Sequence, residues 1–206
     1  MATGADAFEA IVLAAGSGSR FGGGKLLAPW GDGVLLDGAL AAAFAAPVSR
    51  VILATGAQAQ AVEAAARACA ARLGQGARLH VVHVEDHAEG MGASLRRAAR
   101  ELPADCAGVF VFLGDMPRVP PAVLAPLAAA VQAGAPAAAP AFEGRRGHPA
   151  LLAAGLLPQL ASLRGDAGAR TILKDLGPRL AIVEAPDDGV LFDVDTPGDL
   201  DAGRRR

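Results

Sequence analysis

The sequence predicts an α/β fold of three layers, in which helices cover both faces of one mostly parallel sheet. Short runs made only of apolar residues alternate along the chain with longer, alanine-rich segments that have helical spacing. A strand without a polar face is buried on both sides, which is typical of a parallel sheet between two layers of helices. Because 52% of the 206 residues are hydrophobic and only 4% are aromatic, alanine and small aliphatic side chains must fill the core. We expect the whole chain, residues 1–206, to form one domain.

The order of the apolar runs predicts the elements. The first strand is residues 10–14, and a glycine-rich loop follows it directly. Pro47 ends the first helix and Gly74 the second, since proline disfavours helical backbone before it and glycine readily closes a helix. After Gly144 the alternation loosens, and we expect an antiparallel segment and a lid over a ligand there. The other predicted strands are 48–55, 77–84, 109–113 and 135–142, and the predicted helices are 34–46, 57–73, 92–101 and 121–131.

The loop after the first strand predicts an anion site. Residues 16–25 contain five glycines together with Arg20 and Lys25. Glycine lets the backbone approach a ligand closely, so that several N–H groups point at one phosphate, and the two basic side chains add full positive charges. A nucleoside triphosphate is the ligand that this combination favours.

Two common phosphate-binding motifs do not fit this loop. A P-loop needs a glycine where Ser19 stands and a hydroxyl residue where Leu26 stands. A dinucleotide-binding fingerprint needs a glycine at Phe21 and an acidic residue at the end of the next strand, which instead ends in Thr55-Gly56. A glycine-rich turn without a ligand remains open at this point.

Asp115 is the first candidate metal ligand. It follows the predicted strand 109–113 almost directly, and ligands of parallel sheets lie at the carboxyl ends of the strands. It lies too far before Pro121 to cap the next helix. We therefore expect Asp115 to bind Mg²⁺ beside the phosphate loop.

A second pair of carboxylates stands near the C-terminus. Asp193 and Asp195 alternate with apolar residues, which predicts that both side chains lie on one face of a strand. Asp195 or Thr196 is equally suited to capping a helix that begins at Pro197. The spacing alone does not decide between these interpretations.

Three histidines, His80, His83 and His87, stand close together but do not predict a metal site. On the expected strand 77–84, side chains three residues apart point to opposite faces. We therefore expect histidines that are either at the surface or satisfied by hydrogen bonds at these positions.

Charge and composition argue against several classes of protein. A formal net charge of −2 and an isoelectric point of about 6.1 argue against general binding to nucleic acid or to a membrane surface. Residues 119–142 carry no charge, but five prolines interrupt them and argue against a membrane span. Two cysteines without a paired spacing, and an N-terminus without the apolar segment of a secretion signal, predict a reduced, cytoplasmic protein.

Six motifs, spread in order over nearly the whole chain, point together to one known family. They are residues 13–27, 90–95, 114–117, 147–149, 165–170 and 193–200. The first begins Leu13-Ala14-Ala15-Gly16 and contains Gly18, Arg20 and Lys25; the third is Gly114-Asp115-Met116-Pro117. Together they resemble the molybdopterin nucleotidyltransferase family, or MobA-like NTP transferases, and in particular its cytidylyltransferase branch.

The resemblance implies a Rossmann-like nucleotidyltransferase fold, similar to that of A-type glycosyltransferases. It further implies that CMP is transferred from CTP to the phosphate of a molybdopterin-type acceptor, with Mg²⁺ as the cofactor. A molybdoenzyme or its chaperone would be a further partner. Residues 1–115 would form the nucleotide- and metal-binding half, and residues 116–206 the acceptor half. The alternatives are GTP as the nucleotide, a sugar or polyol phosphate as the acceptor, and a non-catalytic factor that delivers cofactor to a molybdoenzyme.

The family's roles carry over onto the matching residues. By this resemblance Lys25, Arg20 and Asp115 would be catalytic, and Asp115 and Asp195 would bind the metal. The nucleotide-binding residues would be Leu13, Ala14, Ala15, Gly16, Gly18, Arg20, Lys25, Gly90, Gly92 and Ser94, and the acceptor-binding residues would be His148, Pro149, Asp166 and Arg170.

One residue bears on the choice of nucleotide, and the acceptor-binding residues have alternative interpretations. The relatives that use GTP usually carry a glycine where Ala15 stands, and the methyl group of Ala15 would narrow the pocket against a purine. This favours CTP as the nucleotide. For His148 an ordinary polar turn remains open, and Asp166 and Arg170 are also spaced to pair as simple helix support.

Overall fold

The computed structural model describes residues 7–18, 21–165 and 168–204. Helices flank both faces of one eight-stranded sheet, which confirms the predicted fold class, and a two-stranded hairpin adds β2 and β3. The strands are β1 (Phe8–Ala14), β2 (Pro29–Trp30), β3 (Gly33–Val34), β4 (Val48–Thr55), β5 (Leu79–His83), β6 (Gly108–Leu113), β7 (Ala137–Phe142), β8 (Arg145–Arg146), β9 (Ala150–Ala153) and β10 (Leu180–Glu184). The α-helices are α1 (Leu35–Ala45), α2 (Ala59–Arg72), α3 (Met91–Ala99), α4 (Leu124–Gln132), α5 (Leu157–Leu160), α6 (Arg170–Leu176) and α7 (Pro197–Arg204).

The strands of the sheet follow the order β5-β4-β1-β6-β9-β7-β10, with β8 paired to β7. β1 is parallel to both of its neighbours, so that Val12 lies opposite Leu53 and Phe112. β9 is antiparallel to β6 and β7, and this confirms the antiparallel segment expected after Gly144. The amino end of β9 therefore lies at the same edge of the sheet as the carboxyl ends of β1 and β6.

Two cores lie on opposite faces of the sheet. Ala10, Val12 and Ala14 face the core that contains α1, α2 and α4. Ile11 faces the core that contains α3, α5 and α6. Because both faces of β1 are buried, its residues are apolar almost without interruption, which is the pattern that predicted the sheet.

The uncharged stretch 119–142 folds into α4 and β7. Leu124, Leu127 and Val131 bury one side of α4, and β7 lies inside the sheet between β9 and β10. Within the ranges that the structure describes, no helix has the length and apolar character needed to cross a lipid bilayer.

Residues 192–196 do not form a strand, so the prediction that Asp193 and Asp195 share one strand face is wrong. The backbone N–H of Val194 donates to the carbonyl oxygen of Asp115 over 3.1 Å. This contact ties the segment to the loop after β6, where no strand offers a ladder of hydrogen bonds. The alternation of polar and apolar residues therefore does not mark a strand. It marks one apolar residue, Val194, whose backbone is held by this hydrogen bond.

The helix-capping alternative holds for Thr196. Its hydroxyl oxygen accepts a hydrogen bond from the N–H of Asp199 over 3.3 Å, and the Asp199 carboxylate accepts one from the N–H of Thr196 over 2.7 Å. These reciprocal bonds satisfy donors that the first turn of a helix leaves free. They fix the start of α7 and with it the position of Asp195.

Replacing Gly38 by alanine is expected to loosen the loop that carries Asp115. Gly38 lies in α1, where an added Cβ would come within 2.6 Å of the Cβ and 2.7 Å of the Cα of Pro117. We expect Gly38→Ala to lower the free energy of unfolding by about 1–3 kcal/mol, the usual cost of overpacking. Urea unfolding measures this loss. Ala41→Leu, at an exposed position of the same helix, is the control and should change it by at most about 0.5 kcal/mol; equal effects of the two substitutions would contradict the expectation.

Candidate active site

Three segments distant in sequence bring charged side chains together at the carboxyl edge of the sheet. Lys25 follows the loop after β1, Asp115 lies in the loop after β6, and Asp195 precedes α7. The Nζ atom of Lys25 donates to Oδ2 of Asp115 over 2.7 Å and to Oδ1 of Asp195 over 3.2 Å. One ammonium group is thus held between two carboxylates.

The glycine-rich loop folds back on itself to place Lys25. The carbonyl oxygen of Gly18 accepts hydrogen bonds from the N–H groups of Phe21, over 2.9 Å, and Gly23, over 3.1 Å. Gly18 has a positive φ of 61°, and an added Cβ there would lie 3.1 Å from the Cβ of Lys25. Glycine is therefore needed at position 18 both for its backbone conformation and for the space beside Lys25. Arg20, which was predicted to bind phosphate from this loop, lies outside the described residues.

The surroundings of Lys25 keep it charged. Its side chain is only 12% exposed. Burial alone would lower the pKa of Lys25, but the carboxylates of Asp115 and Asp195 outweigh it and hold this pKa above its ordinary value. The side chain is therefore an ammonium ion at neutral pH. Partial loss of water contact, together with the charge of Asp195, raises the pKa of Asp193.

The carboxylates of Asp115 and Asp195 fit a divalent cation bound together with a nucleotide. Both reach one position, which the Lys25 ammonium now shares with them. In the described part of the chain, no group of three or more histidine, cysteine, aspartate or glutamate side chains forms a metal cage. Mg²⁺ characteristically takes only one or two carboxylates and completes its octahedron with phosphate oxygens and water. The donor set thus matches a substrate-assisted Mg²⁺ site.

A cavity of about 500 Å³ lies beside the phosphate loop, and we call it the nucleotide cavity. Five of the residues predicted to bind nucleotide line it, namely Leu13, Ala15, Gly16, Gly90 and Ser94. Ala14, Gly18 and Lys25 line a smaller adjoining cavity of about 90 Å³. Gly92 lines neither of these cavities; an added Cβ there would lie 2.7 Å from the carbonyl oxygen of Gly165, so this glycine lets α3 approach the segment before α6.

A third cavity, of about 540 Å³, lies toward β8 and α6, and we call it the acceptor cavity. Of the predicted acceptor residues, His148 and Arg170 line it, whereas Pro149 is buried beside it and Asp166 lies outside the described residues. Arg146 and Asp193 also line it. The nucleotide and acceptor cavities share Met91 and Leu113 as a common wall.

His148 is a half-buried imidazole that lines the acceptor cavity and is neutral at pH 7. Its backbone N–H donates to the carbonyl oxygen of Val190 over 2.9 Å, which ties the start of β9 to the segment before α7. Burial lowers the pKa of His148, and the positive charge of Arg146 acts in the same direction, although Asp115 opposes it. Its Nδ1 atom is buried and has no hydrogen-bond partner among the described residues. His148 is therefore not a solvent-exposed residue of an ordinary polar turn.

The neutrality of His148 predicts how stability depends on pH. Its pKa in the folded protein lies below the ordinary value of 6.5, so the unfolded chain takes up a proton at this position first as the pH falls. The free energy of unfolding should therefore fall between about pH 7 and pH 5. Urea unfolding across this range should give a smaller slope for His148→Asn. The same slope in wild type and His148→Asn, with His83→Asn as the exposed control, would contradict this cause.

Sequence reasoning missed two residues that line the cavities. His87 was expected to be a surface or hydrogen-bonded histidine, but it lines the nucleotide cavity. Arg146 lines the acceptor cavity and stands directly before the Gly147-His148 pair. The sequence contained one hint for both residues. Arg146 directly precedes the motif at 147–149, and His87 lies three residues before the motif at 90–95. Tertiary packing determines where the loops that carry these two residues lie, and the local sequence does not record it.

Comparison with known proteins decides the family. Residues 10–181 match the MobA-like NTP transferase domain, which is most of the chain. The chain belongs to the MobA-like NTP transferase family. As a member of this family it is a transferase enzyme of the nucleotidyltransferase class.

Three relatives illustrate the range of this MobA-like NTP transferase family. The chain is 32% identical over 199 residues to nicotine blue oxidoreductase of Paenarthrobacter nicotinovorans, covering 90% of this chain and 91% of the relative. It is 27% identical over 200 residues to molybdenum cofactor cytidylyltransferase of Escherichia coli strain K12, covering 97% of each. The crystal structure of Rv0371c from Mycobacterium tuberculosis H37Rv in complex with manganese matches with a TM-score of 0.76 and 30% identity, covering 95% of this chain and 97% of that one.

Proposed function

We propose that this protein is a Mg²⁺-dependent cytidylyltransferase that transfers CMP from CTP to the terminal phosphate of a molybdopterin-type acceptor and releases pyrophosphate. The observation that carries the proposal is the position of the Lys25 ammonium. It is held by Asp115 and Asp195, and Asp115 also lines the nucleotide cavity. Since the nucleotide and acceptor cavities share a wall at Leu113, two residues before Asp115, a cation here lies where two phosphates would meet.

The reaction joins two anions and needs no protein nucleophile. An oxygen of the acceptor phosphate attacks the α-phosphorus of CTP and forms a new P–O bond. The bond from the α-phosphorus to the oxygen that bridges to the β-phosphorus breaks, and pyrophosphate leaves with its electron pair. The attacking phosphate is already ionised at neutral pH, so a general base is not required. Positioning and electrostatic stabilisation supply the catalysis.

The phosphate loop and Lys25 perform different parts of this work. The backbone N–H groups of Ala15, Gly16 and Gly18, together with Arg20, hold the β- and γ-phosphates. Lys25 bridges the α-phosphate and the acceptor phosphate, where negative charge builds up as the new bond forms. Its partial burial strengthens this interaction because little water screens the ammonium.

Asp115 and Asp195 are the proposed metal ligands. A bound divalent cation supplies neutralisation of phosphate charge and orientation of the leaving pyrophosphate. The similar Rv0371c structure is a complex with manganese, which supports a divalent cation in this family. The two carboxylates share the Lys25 ammonium, and these ion pairs hold them close together at one position.

The acceptor cavity suits an anionic, partly apolar molecule. Arg146 and Arg170 line it without forming an ion pair to another described residue, while Met91, Met116 and Leu173 supply apolar surface. His148 lines the same cavity, and its buried Nδ1 atom has no hydrogen-bond partner among the described residues. A pterin with a phosphate carries both kinds of surface, and the similarity to the E. coli cytidylyltransferase supports this choice.

The similarity to nicotine blue oxidoreductase favours a second candidate activity, an oxidation or reduction of an organic substrate, for which a nicotinamide dinucleotide is a common cofactor. The loop argues against it, since Phe21 and Thr55-Gly56 stand where a dinucleotide-binding fingerprint needs glycine and an acidic residue. Oxidation of NADH or NADPH with a suitable acceptor would favour this candidate.

Pyrophosphate release tests the proposal. The purified protein is incubated with Mg²⁺ and molybdenum-loaded molybdopterin, and CTP, GTP and ATP are compared side by side. Release with CTP alone would support reaction, base and acceptor together. Release with GTP would assign the protein to guanylyl transfer and overturn the interpretation of Ala15. No release with any nucleotide would favour another acceptor or a delivery role.

A further inference from the structure

We infer that His87 contacts the nucleobase and is a residue that determines the preference for a pyrimidine nucleotide. The inference rests on the proposed function, because it assigns a role within the nucleotide cavity. It assigns a ligand contact to a residue that lies outside all six sequence motifs.

His87 is an unengaged polar side chain on the wall of the nucleotide cavity. It lines this cavity together with Ala15, Gly16, Gly90 and Ser94, which carry the nucleotide-binding motifs. Its side chain is half-buried and makes no hydrogen bond or ion pair with any residue in the described part of the chain. The imidazole is thus free to bind a ligand that enters the cavity.

The structure fits His87 closely against the loop after β4. An added Cβ at Gly56 would lie 2.7 Å from the Cβ and Cγ of His87, and 2.7 Å from the carbonyl oxygen of Ala15. Only glycine at position 56 lets the imidazole and the Ala15 backbone occupy adjoining positions. The ring is therefore held next to the residue whose methyl group was predicted to narrow the pocket.

Arg96 braces the turn that presents His87. Residues His87–Glu89 form a single 3-10 turn before α3. The guanidinium of Arg96 pairs with the carboxylates of Asp86 and Glu89, on either side of His87, and also donates to the carbonyl oxygen of Leu163 over 2.8 Å. Because this turn is held on both sides of His87, the His87 side chain loses little conformational entropy when a ligand binds.

The imidazole suits the edge of a pyrimidine. One ring nitrogen donates a hydrogen bond and the other accepts one, so His87 can pair with the carbonyl oxygen or the amino group of cytosine. His87 and Ala15 both line the cavity, so a base that enters it lies between these two residues. A purine is larger by a fused ring, and it would have to displace one of them.

The test separates contact with the base from contact with the phosphates. Affinities of CTP, GTP and inorganic tripolyphosphate are measured with Mg²⁺ for wild type, His87→Ala and His87→Phe. We expect both variants to bind CTP about 5- to 10-fold more weakly, as for the loss of one hydrogen bond. Tripolyphosphate, which has no base, should bind unchanged, and GTP should gain on CTP in His87→Ala, where the cavity is wider.

The control is His83→Ala, an exposed histidine at the end of β5, which should leave all three affinities unchanged. Unchanged CTP affinity in both His87 variants would overturn the inference, as would an equal loss for CTP and tripolyphosphate. If wild type binds none of the nucleotides, the proposed function itself fails. That result is distinct from failure of the inference, which requires a wild type that binds CTP.

Discussion

Lys25→Ala is expected to lower turnover by about 100-fold or more while it weakens CTP binding much less. The ammonium of Lys25 lies between Asp115 and Asp195, in a place where water is largely excluded. Its charge is worth most when negative charge builds up between the α-phosphate and the attacking phosphate. In the proposed complex, ground-state binding has other donors, because the loop backbone would hold the β- and γ-phosphates.

Steady-state kinetics with saturating acceptor, together with calorimetric CTP binding, measures the two losses for Lys25→Ala. Lys174→Ala, at the chain's other lysine, is the matched control, since that side chain is exposed on α6. It should retain wild-type kinetics. A similar loss in kcat and in CTP affinity for Lys25→Ala would reduce Lys25 to a binding group and contradict the proposed role.

Asp115→Asn is expected to abolish most of the Mg²⁺-dependent activity, with a loss of about 100-fold or more. The substitution keeps the shape of the side chain but removes the charge that contacts Lys25 and that the proposed cation would require. The backbone carbonyl of Asp115 still accepts the hydrogen bond from Val194, so the segment that carries Asp195 stays in place. The loss therefore reports on the carboxylate and not on the fold.

Activity measured as a function of Mg²⁺ concentration checks this expectation. Asp115→Asn should need far more Mg²⁺ for its residual activity than wild type. Asp105→Asn, at an exposed position before β6, should match wild type at every Mg²⁺ concentration. Normal activity of Asp115→Asn with normal Mg²⁺ dependence would remove Asp115 from the metal site.

The sheet could be predicted because its central strands are buried on both faces. Val12 in β1 and Leu53 in β4 are fully buried, and such strands show as apolar runs in the sequence. The predicted strands and helices up to residue 142 match the observed ones to within three residues at each end, whereas the short hairpin of β2 and β3 was not predicted. The rule that ligands lie at the carboxyl ends of parallel strands then places Asp115 next to the phosphate loop without any further information.

The structure of the C-terminal segment 192–196 could not be predicted from its local sequence pattern. Alternation at Asp193 and Asp195 resembled a strand, but a strand needs a neighbour with free backbone groups. Among the described residues, the backbone of 192–196 is tied to the loop after β6 by the bond from Val194 to Asp115, and it pairs with no strand. That contact joins residues 79 positions apart, and no local spacing records it.

His87 was missed for a similar reason. Its own segment contains two other histidines, and the pattern favours exposed positions for all three. What turns His87 toward the nucleotide cavity is the absence of a side chain at Gly56 and the bracing of its turn by Arg96. Both are tertiary contacts, and glycine gives no local sign of which neighbour occupies the space it leaves.

The most direct test of nucleotidyl transfer follows the phosphorus atoms of CTP. The enzyme is incubated with Mg²⁺, molybdenum-loaded molybdopterin and CTP that carries radioactive phosphorus at either the α- or the γ-position. We expect the α-label to appear in a dinucleotide product that contains the acceptor, and the γ-label to appear only in pyrophosphate. Transfer of the γ-label to the acceptor, or its release as orthophosphate without a labelled dinucleotide, would contradict the proposed reaction.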